Sequence, residues 1–158
     1  MKVKLDELTV KFNNDLSDRL IENWSWLTGM EKKVLLISAI GDLFLTDNVK
    51  NVYWLDIGGG ELKLVANSIE SFEEKLKNID QLNEWFMINL TTDLRLSDKK
   101  LKDGQLYSYK KLPILGGEYT VENFAPMDIE AHFRFTGYIH KQIKNLPDGA
   151  EIEIKLVD

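Results

Sequence analysis

Residue types able to do chemistry are sparse in this chain. Cysteine is absent, which removes thiol nucleophiles, thiolate metal cages and disulfides together and is compatible with a reducing compartment. His132 and His140 are the two histidines, eight residues apart. On a helix, at about 100° per residue, they diverge by roughly 80°, a poor match to the i, i+4 spacing of helical metal ligands. If the segment were a strand, Glu130 and His132 would share a face, but no third ligand is indicated. His140, near a helix C-terminus, reads as a surface position that tolerates positive charge. The serines at 17, 25, 38, 68, 71, 97 and 108 lie outside any Gly-x-Ser-x-Gly elbow. Acid pairs such as Glu73 with Glu74, or Asp42 with Asp47, could be cast as general acid and base, yet solvated faces and turns account for them at lower cost.

Glycine-rich stretches give the same answer. A phosphate loop needs Lys-Ser or Lys-Thr after its last glycine and then a helix, whereas Gly58-Gly59-Gly60 runs into Glu61-Leu62-Lys63-Leu64, which continues as a strand. That triplet is a hairpin turn. Gly116-Gly117 has no basic residue placed for phosphate. The expectation is therefore no catalytic residue, no metal and no cofactor.

The elements that must position these residues follow from length and pattern. A chain of 158 residues with 44% apolar and 29% charged side chains, three prolines and ten glycines is expected to fold as a single domain, 1–158, burying roughly two-thirds of its unfolded surface. Leu16, Leu20, Trp24 and Leu27 line one face of a helix over about 15–27. Trp26 falls on the far side of that wheel, where it is either exposed or packed against a neighbouring element, and is the best candidate for an exposed contact; Trp24, Trp54 and Trp85 are assigned to the core. From Val34 the pattern is β-rich: Val34 to Ile40, Asp42 to Leu45, Val52 to Asp56 and Leu62 to Ala66, with turn chemistry at Thr46-Asp47-Asn48 and at the triple glycine. This is an antiparallel meander. Ser68 caps a helix over Ile69 to Lys77, and Asp80 caps another whose stripe is Leu82, Trp85, Phe86, Leu90 and Leu94. After a polar linker, Ser97 to Gly104, a brief strand spans Leu106 to Tyr109 and a turn-rich crossing spans Leu112 to Gly117. Asp128 to Leu146 fits both a strand, by alternation of Ile129, Ala131, Phe133 and Phe135, and a helix ended by Pro147-Asp148-Gly149. The longer match favours helix. Ala150 to Val157 reads as a last strand. The class is α+β, a mainly antiparallel sheet covered by helices.

Twenty-six acidic against twenty basic residues leave a formal charge of −6. That disfavours direct binding to nucleic-acid phosphates and suits either solubility or a basic partner. The charged start, with Lys2, Lys4, Asp6 and Glu7, is unlike a secretory signal. The most apolar stretch, Val34 to Leu45, is broken by Gly41 and Asp42 and falls short of the about 20 residues of a membrane span. A cytoplasmic location, away from the membrane, is the expectation.

One ordered set of residues carries a resemblance: Gly41-Asp42-Leu43-Phe44, Val52-Tyr53-Trp54-Leu55-Asp56, Ser68-Ile69-Glu70-Ser71-Phe72, Glu84-Trp85-Phe86, Gly104-Gln105-Leu106-Tyr107, Pro113-Ile114-Leu115-Gly116-Gly117-Glu118-Tyr119 and Gly137-Tyr138-Ile139-His140-Lys141-Gln142. Over about 34–146 the chain resembles the C-terminal domain of the Tdi immunity proteins, which neutralise the Tde DNase effectors of type VI secretion, with a more distant, architectural likeness to the SMI1/KNR4-like superfamily. The resemblance implies a non-catalytic domain that binds a protein partner, a basic toxin. It brings no catalytic residue with it. Trp54, Gly116, Gly117 and Gly137 are its structural motif positions. Joined to the negative charge, it suggests an acidic, tryptophan-containing docking face, for which Trp26, Asp42, Asp47, Asp56 and Glu61 are the candidates. Two other readings remain open: an intracellular scaffold or regulatory module without a toxin partner, and a hydrolase using carboxylates with His132 or His140.

Overall fold

The computed structural model describes residues 4–146. The Pro147-Asp148-Gly149 stop and the strand expected over 150–157 lie outside the described residues. A short helix α1 (Leu5–Leu8) leads into β1 (Thr9–Val10), and the meander follows as β2 (Lys33–Ser38), β3 (Leu43–Thr46), β4 (Val52–Asp56) and β5 (Glu61–Ala66). These five pair antiparallel in the order β1-β2-β3-β4-β5, with Leu43 opposite Leu55 and Trp54 opposite Lys63. The α+β architecture and the meander stand as the residue pattern predicted.

Period-2 geometry sends alternate side chains to opposite faces, and here both faces are covered. On one side Ile37, Leu43, Leu45 and Leu55 pack with Leu20, Ile21, Trp24, Phe133 and Ile139. On the other, Phe44, Val52, Trp54 and Ala66 pack with Phe72, Leu82, Trp85 and Phe86. Two-sided burial explains the near-continuous apolar run from Val34 to Leu45, because no face of β3 needed a polar residue. Phe44 is the hub of the second core, with ring centroids of Phe72, Trp85 and Phe86 at 5.2, 5.3 and 5.5 Å; such aromatic pairs add about 0.5–1.5 kcal/mol each beyond their burial.

Helices α2 (Ser17–Glu22) and α3 (Ser25–Thr28) stand where one helix over 15–27 was expected. The break is at Asn23 and Trp24, where Trp24 N–H bonds back to Ile21 O instead of continuing the four-residue ladder. Tertiary contacts decide it. The indole Nε1 of Trp24 donates to Thr136 Oγ1 at 3.3 Å, and the Asn23 backbone lies against Gly137. Beyond β5 come α4 (Ile69–Lys75), α5 (Ile79–Phe86) and α6 (Ile88–Leu96). Ser68 caps α4 through Ser71 N–H as expected. The single helix expected to start at Asp80 is two helices: Asn78 caps α5, and Met87, with φ +47°, turns the chain before α6. Thr91 Oγ1 donates to the Phe86 carbonyl that this turn leaves free.

Strand β6 (Gln105–Tyr109) pairs with β7 (Phe124–Asp128) in a second, two-stranded sheet. The pattern did not reveal β7, because Pro126 sits in it; a two-stranded ribbon tolerates proline on its edge. Tyr107 N–H donates to Ala39 O, tying this sheet to the β2–β3 turn. The ambiguous segment is a helix, α7 (Ile129–Ile143), capped by Asp128 through Ala131 N–H.

Candidate functional site

In a meander, alternate turns share an end. The β2–β3 turn, with Gly41 and Asp42, therefore lies at the same end of the sheet as the β4–β5 turn, with Gly58 to Gly60, while the β3–β4 turn with Asp47 lies at the opposite end. Side chains from β6, α7 and the loop after β6 converge on the first of these ends. Each meets a glycine, because a Cβ there would occupy the space the side chain fills: His132 against Gly41, His140 against Gly60, and Tyr109 and Tyr119 against Gly58. The position φ +95° at Gly41 and φ +67° at Gly60 also favours glycine on backbone grounds.

His132 is fully buried. Its Nε2 lies 2.8 Å from Gly41 O, a carbonyl that can only accept, so Nε2 carries the proton and Nδ1 accepts from Ser108 Oγ at 2.6 Å. Burial pushes this imidazole down to about 4 against the opposing pull of the Gly41 carbonyl. It is a neutral pin between α7, β6 and the β2–β3 turn. His140 is buried too, at 3% exposure, which corrects its expected surface position: the last turns of α7 pack onto Trp24, with ring centroids 5.2 Å apart, and onto Gly60. Burial lowers its pKa, opposed by the Ile57 carbonyl and the Asp56 carboxylate. The Ile57 carbonyl favours a protonated ring, yet among the described residues Nε2 has no partner in hydrogen-bond geometry.

Asp42, expected as a docking residue, is 4% exposed. Its Oδ2 accepts from Trp54 Nε1 at 3.1 Å and its Oδ1 from Ile57 N–H at 2.9 Å. The carboxyl therefore clamps one turn to the next and is unavailable to a partner. Burial, with Asp56 adding repulsion, pushes it up to about 8 in spite of these two donors. Asp47 is half-buried and serves its own turn, accepting from Val49 N–H, Asn51 N–H, Asn51 Nδ2 and Tyr53 Oη. Partial burial works to raise its pKa, but those bonds hold it below the ordinary value.

Asp56 is half-buried, with Oδ1 accepting from Gly59 N–H at 3.3 Å. Glu61 is exposed and 3.4 Å from Lys63 Nζ. Trp26 is half-buried rather than free: it stacks on Trp24 at 5.6 Å, donates to Gly137 O, and carries Lys144 Nζ 4.8 Å above its ring. Trp54, Trp24 and Trp85 are core residues as assigned. The motif glycines have steric reasons. Gly116, at φ +97°, closes the 3-10 turn Pro113–Leu115; a Cβ on Gly117 would overlap Lys111 O, and one on Gly137 would lie 2.5 Å from Asn23 O.

Among the described residues no group of three or more His, Cys, Asp or Glu is placed to hold a metal ion, and no helix is long and apolar enough to cross a membrane. The rim residues that sequence reasoning passed over are Tyr109, Tyr119 and Asn123; the signal for Tyr119 was its place directly after Gly-Gly-Glu.

Residues 66–140 match the family model described as T6SS immunity protein Tdi1, C-terminal. Over that segment, a little under half of its length, the chain is similar to this family. The match starts at the last residue of β5 and ends at His140, so the Gly-Gly-Glu-Tyr loop and most of α7 are inside it, while Gly41, Asp42 and Asp56 precede it. It is shorter than the 34–146 span of the resemblance drawn from the sequence. In fold, the chain is similar to Atu4351 from Agrobacterium tumefaciens, known from a crystal structure, with a TM-score of 0.60 and 21% identity. That likeness covers 80% of this chain and 65% of the Atu4351 chain, and it speaks to architecture alone. No curated protein matches the chain significantly in sequence.

Proposed function

We propose that this chain is an immunity-type inhibitor that works by binding a type VI-secreted toxin, a DNase, without doing chemistry itself. The observation that carries the reading is the Tdi1 C-terminal family match over 66–140. The site supports it: the groups that looked most able to catalyse, Asp42 and His132, are consumed in holding turns and helix together. A nuclease must hold phosphates and so presents a basic surface, to which a chain of charge −6 is complementary; such complementarity speeds encounter, while buried aromatic anchors supply affinity. The reading places the work in the cytoplasm, where the DNA is, and in one domain, since both cores share a single sheet. Co-expression with the effector encoded beside its gene tests it. Growth and intact chromosomal DNA are expected with the chain present; killing at equal expression would contradict the inhibitor and leave the scaffold reading in its place.

A further inference from the structure

The loop between β6 and β7 is built more firmly than a connector needs. Buried Leu112 and Phe124 anchor its two ends. Between them, the side chain of Asn123 accepts from Lys111 N–H at 3.0 Å and donates to Lys111 O at 2.9 Å and Glu118 O at 2.8 Å. Lys99 Nζ reaches across to Val121 O and Phe124 O. Gly116 and Gly117 let the chain double back beside Lys111. What this bracing holds outward is apolar: Ile114 is 45% exposed and Tyr119 42%. Rigid, solvent-facing aromatic and aliphatic side chains add little to folding, but they make efficient anchors, because little side-chain freedom is lost when a partner covers them.

Negative charge lies beside Tyr119. The Tyr119 hydroxyl lies against Gly58, next to Tyr109, whose ring meets that of Tyr119 edge to face at 6.0 Å. Asp56 opens the same turn; it accepts only from Gly59 N–H and has no ion pair among the described residues. Glu118 is exposed beside Tyr119. Burial raises the pKa of both phenols, and the Asp42 and Asp56 carboxyls add to the rise. A lysine or arginine laid over the Tyr119 ring would find a cation–π face and an unneutralised carboxylate together.

We propose that the rim formed by Tyr119, Ile114 and Asp56 is the surface on which the partner docks, and that it receives a loop carrying a lysine or arginine. This rests on the inhibitor reading, since the basic loop is that of the toxin. Titration calorimetry with the purified, catalytically inactive effector encoded beside the gene tests it. Tyr119→Ala is expected to weaken binding about tenfold or more, Tyr119→Phe to stay near wild type because the ring is kept, and Asp56→Asn to weaken binding severalfold while flattening its salt dependence. Asn keeps the acceptor for Gly59, and melting curves confirm folding of each variant. Glu73→Lys on α4, which covers the other face of the sheet, should bind as wild type does. If wild type binds and folded Tyr119→Ala and Asp56→Asn bind equally well, the rim is overturned and the inhibitor stands. If instead Tyr119→Ala abolishes self-association of the chain and leaves effector binding untouched, the rim is a surface for a second copy and the proposal is wrong. No binding by wild type would remove the inhibitor reading and the docking loop with it.

Discussion

Asp42 and His132 are the residues whose chemistry is most altered by the fold, and they act on stability in opposite directions. The Asp42 carboxyl rises from 3.8 to about 8, so the folded chain holds its proton more tightly than the unfolded one; that contribution is complete below pH 3.8 and is lost as pH rises to about 8. His132 falls from 6.5 to about 4; its contribution is complete above pH 6.5 and is lost as pH falls. Between about pH 4 and 6.5 the Asp42 and His132 slopes oppose each other, with His140, also lowered by burial, acting on the side of His132, and above 6.5 only Asp42 remains. At about 1.4 kcal/mol per pH unit, stability should drop by about 2 kcal/mol between pH 6.5 and 8. Urea melts across that range check it. Asp42→Asn should abolish the drop. It should also cost about 1–3 kcal/mol at pH 6, because an amide turns a donor towards either Trp54 Nε1 or Ile57 N–H. An undiminished slope in that variant would assign the effect elsewhere. Nothing in the sequence announced this pair. Asp42 looked like a surface acid because it follows a glycine in a turn, and only the return of β4 beside it shows that the turn is roofed by Trp54.

At the scale of elements, period and capping were legible wherever one surface decided the outcome. Strands β2 to β5, the Ser68 cap and the choice of helix for α7 all rest on long patterns facing a core. Two helices were each read as continuous: the first is interrupted at Trp24, whose indole bonds the distant Thr136, and the second at Met87, whose left-handed backbone is stabilised by the local bond from Thr91 to the Phe86 carbonyl, and neither break leaves a trace in hydrophobic spacing. Strand β7 was hidden by Pro126, which weighs against a strand until its edge position is known. Turn backbone gives two further expectations. Lys50 is exposed with φ +68°, a region that costs a residue with a Cβ about 1–2 kcal/mol; Lys50→Gly should therefore raise the melting temperature by a few degrees. A fall would mean that the lysine makes a contact that outweighs its strain. Gly117→Ala should do the reverse, costing about 1–3 kcal/mol, because the added Cβ meets the Lys111 carbonyl and must open the Asn123 clasp. Faster hydrogen exchange confined to the 110–123 amides would be its signature, and unchanged exchange would deny the clasp.

For the molecule as a whole, the sequence spoke more clearly through a resemblance than through chemistry. Absent cysteine, two ill-spaced histidines and scattered acids argued only against particular reactions. Among the residues that carried the resemblance, Gly41 and Gly137 owe their identity to close approaches made by distant parts of the chain, Gly116 to its φ of +97° and Gly117 to the Lys111 carbonyl across its own loop. This is why the motif was visible while its meaning was not. The docking face was the least legible feature: Asp42 and Asp47 are spent on turns at opposite ends of the sheet, and Trp26 is half-covered by Lys144 and Trp24. The central claim, direct inhibition of a DNase effector, is tested by titrating purified chain into the active effector and following plasmid DNA cleavage. The account predicts that cleavage falls in proportion to added chain and ends near one chain per effector, with a complex of that ratio on gel filtration. Full cleavage in the presence of excess chain, with the two proteins eluting apart, would contradict it.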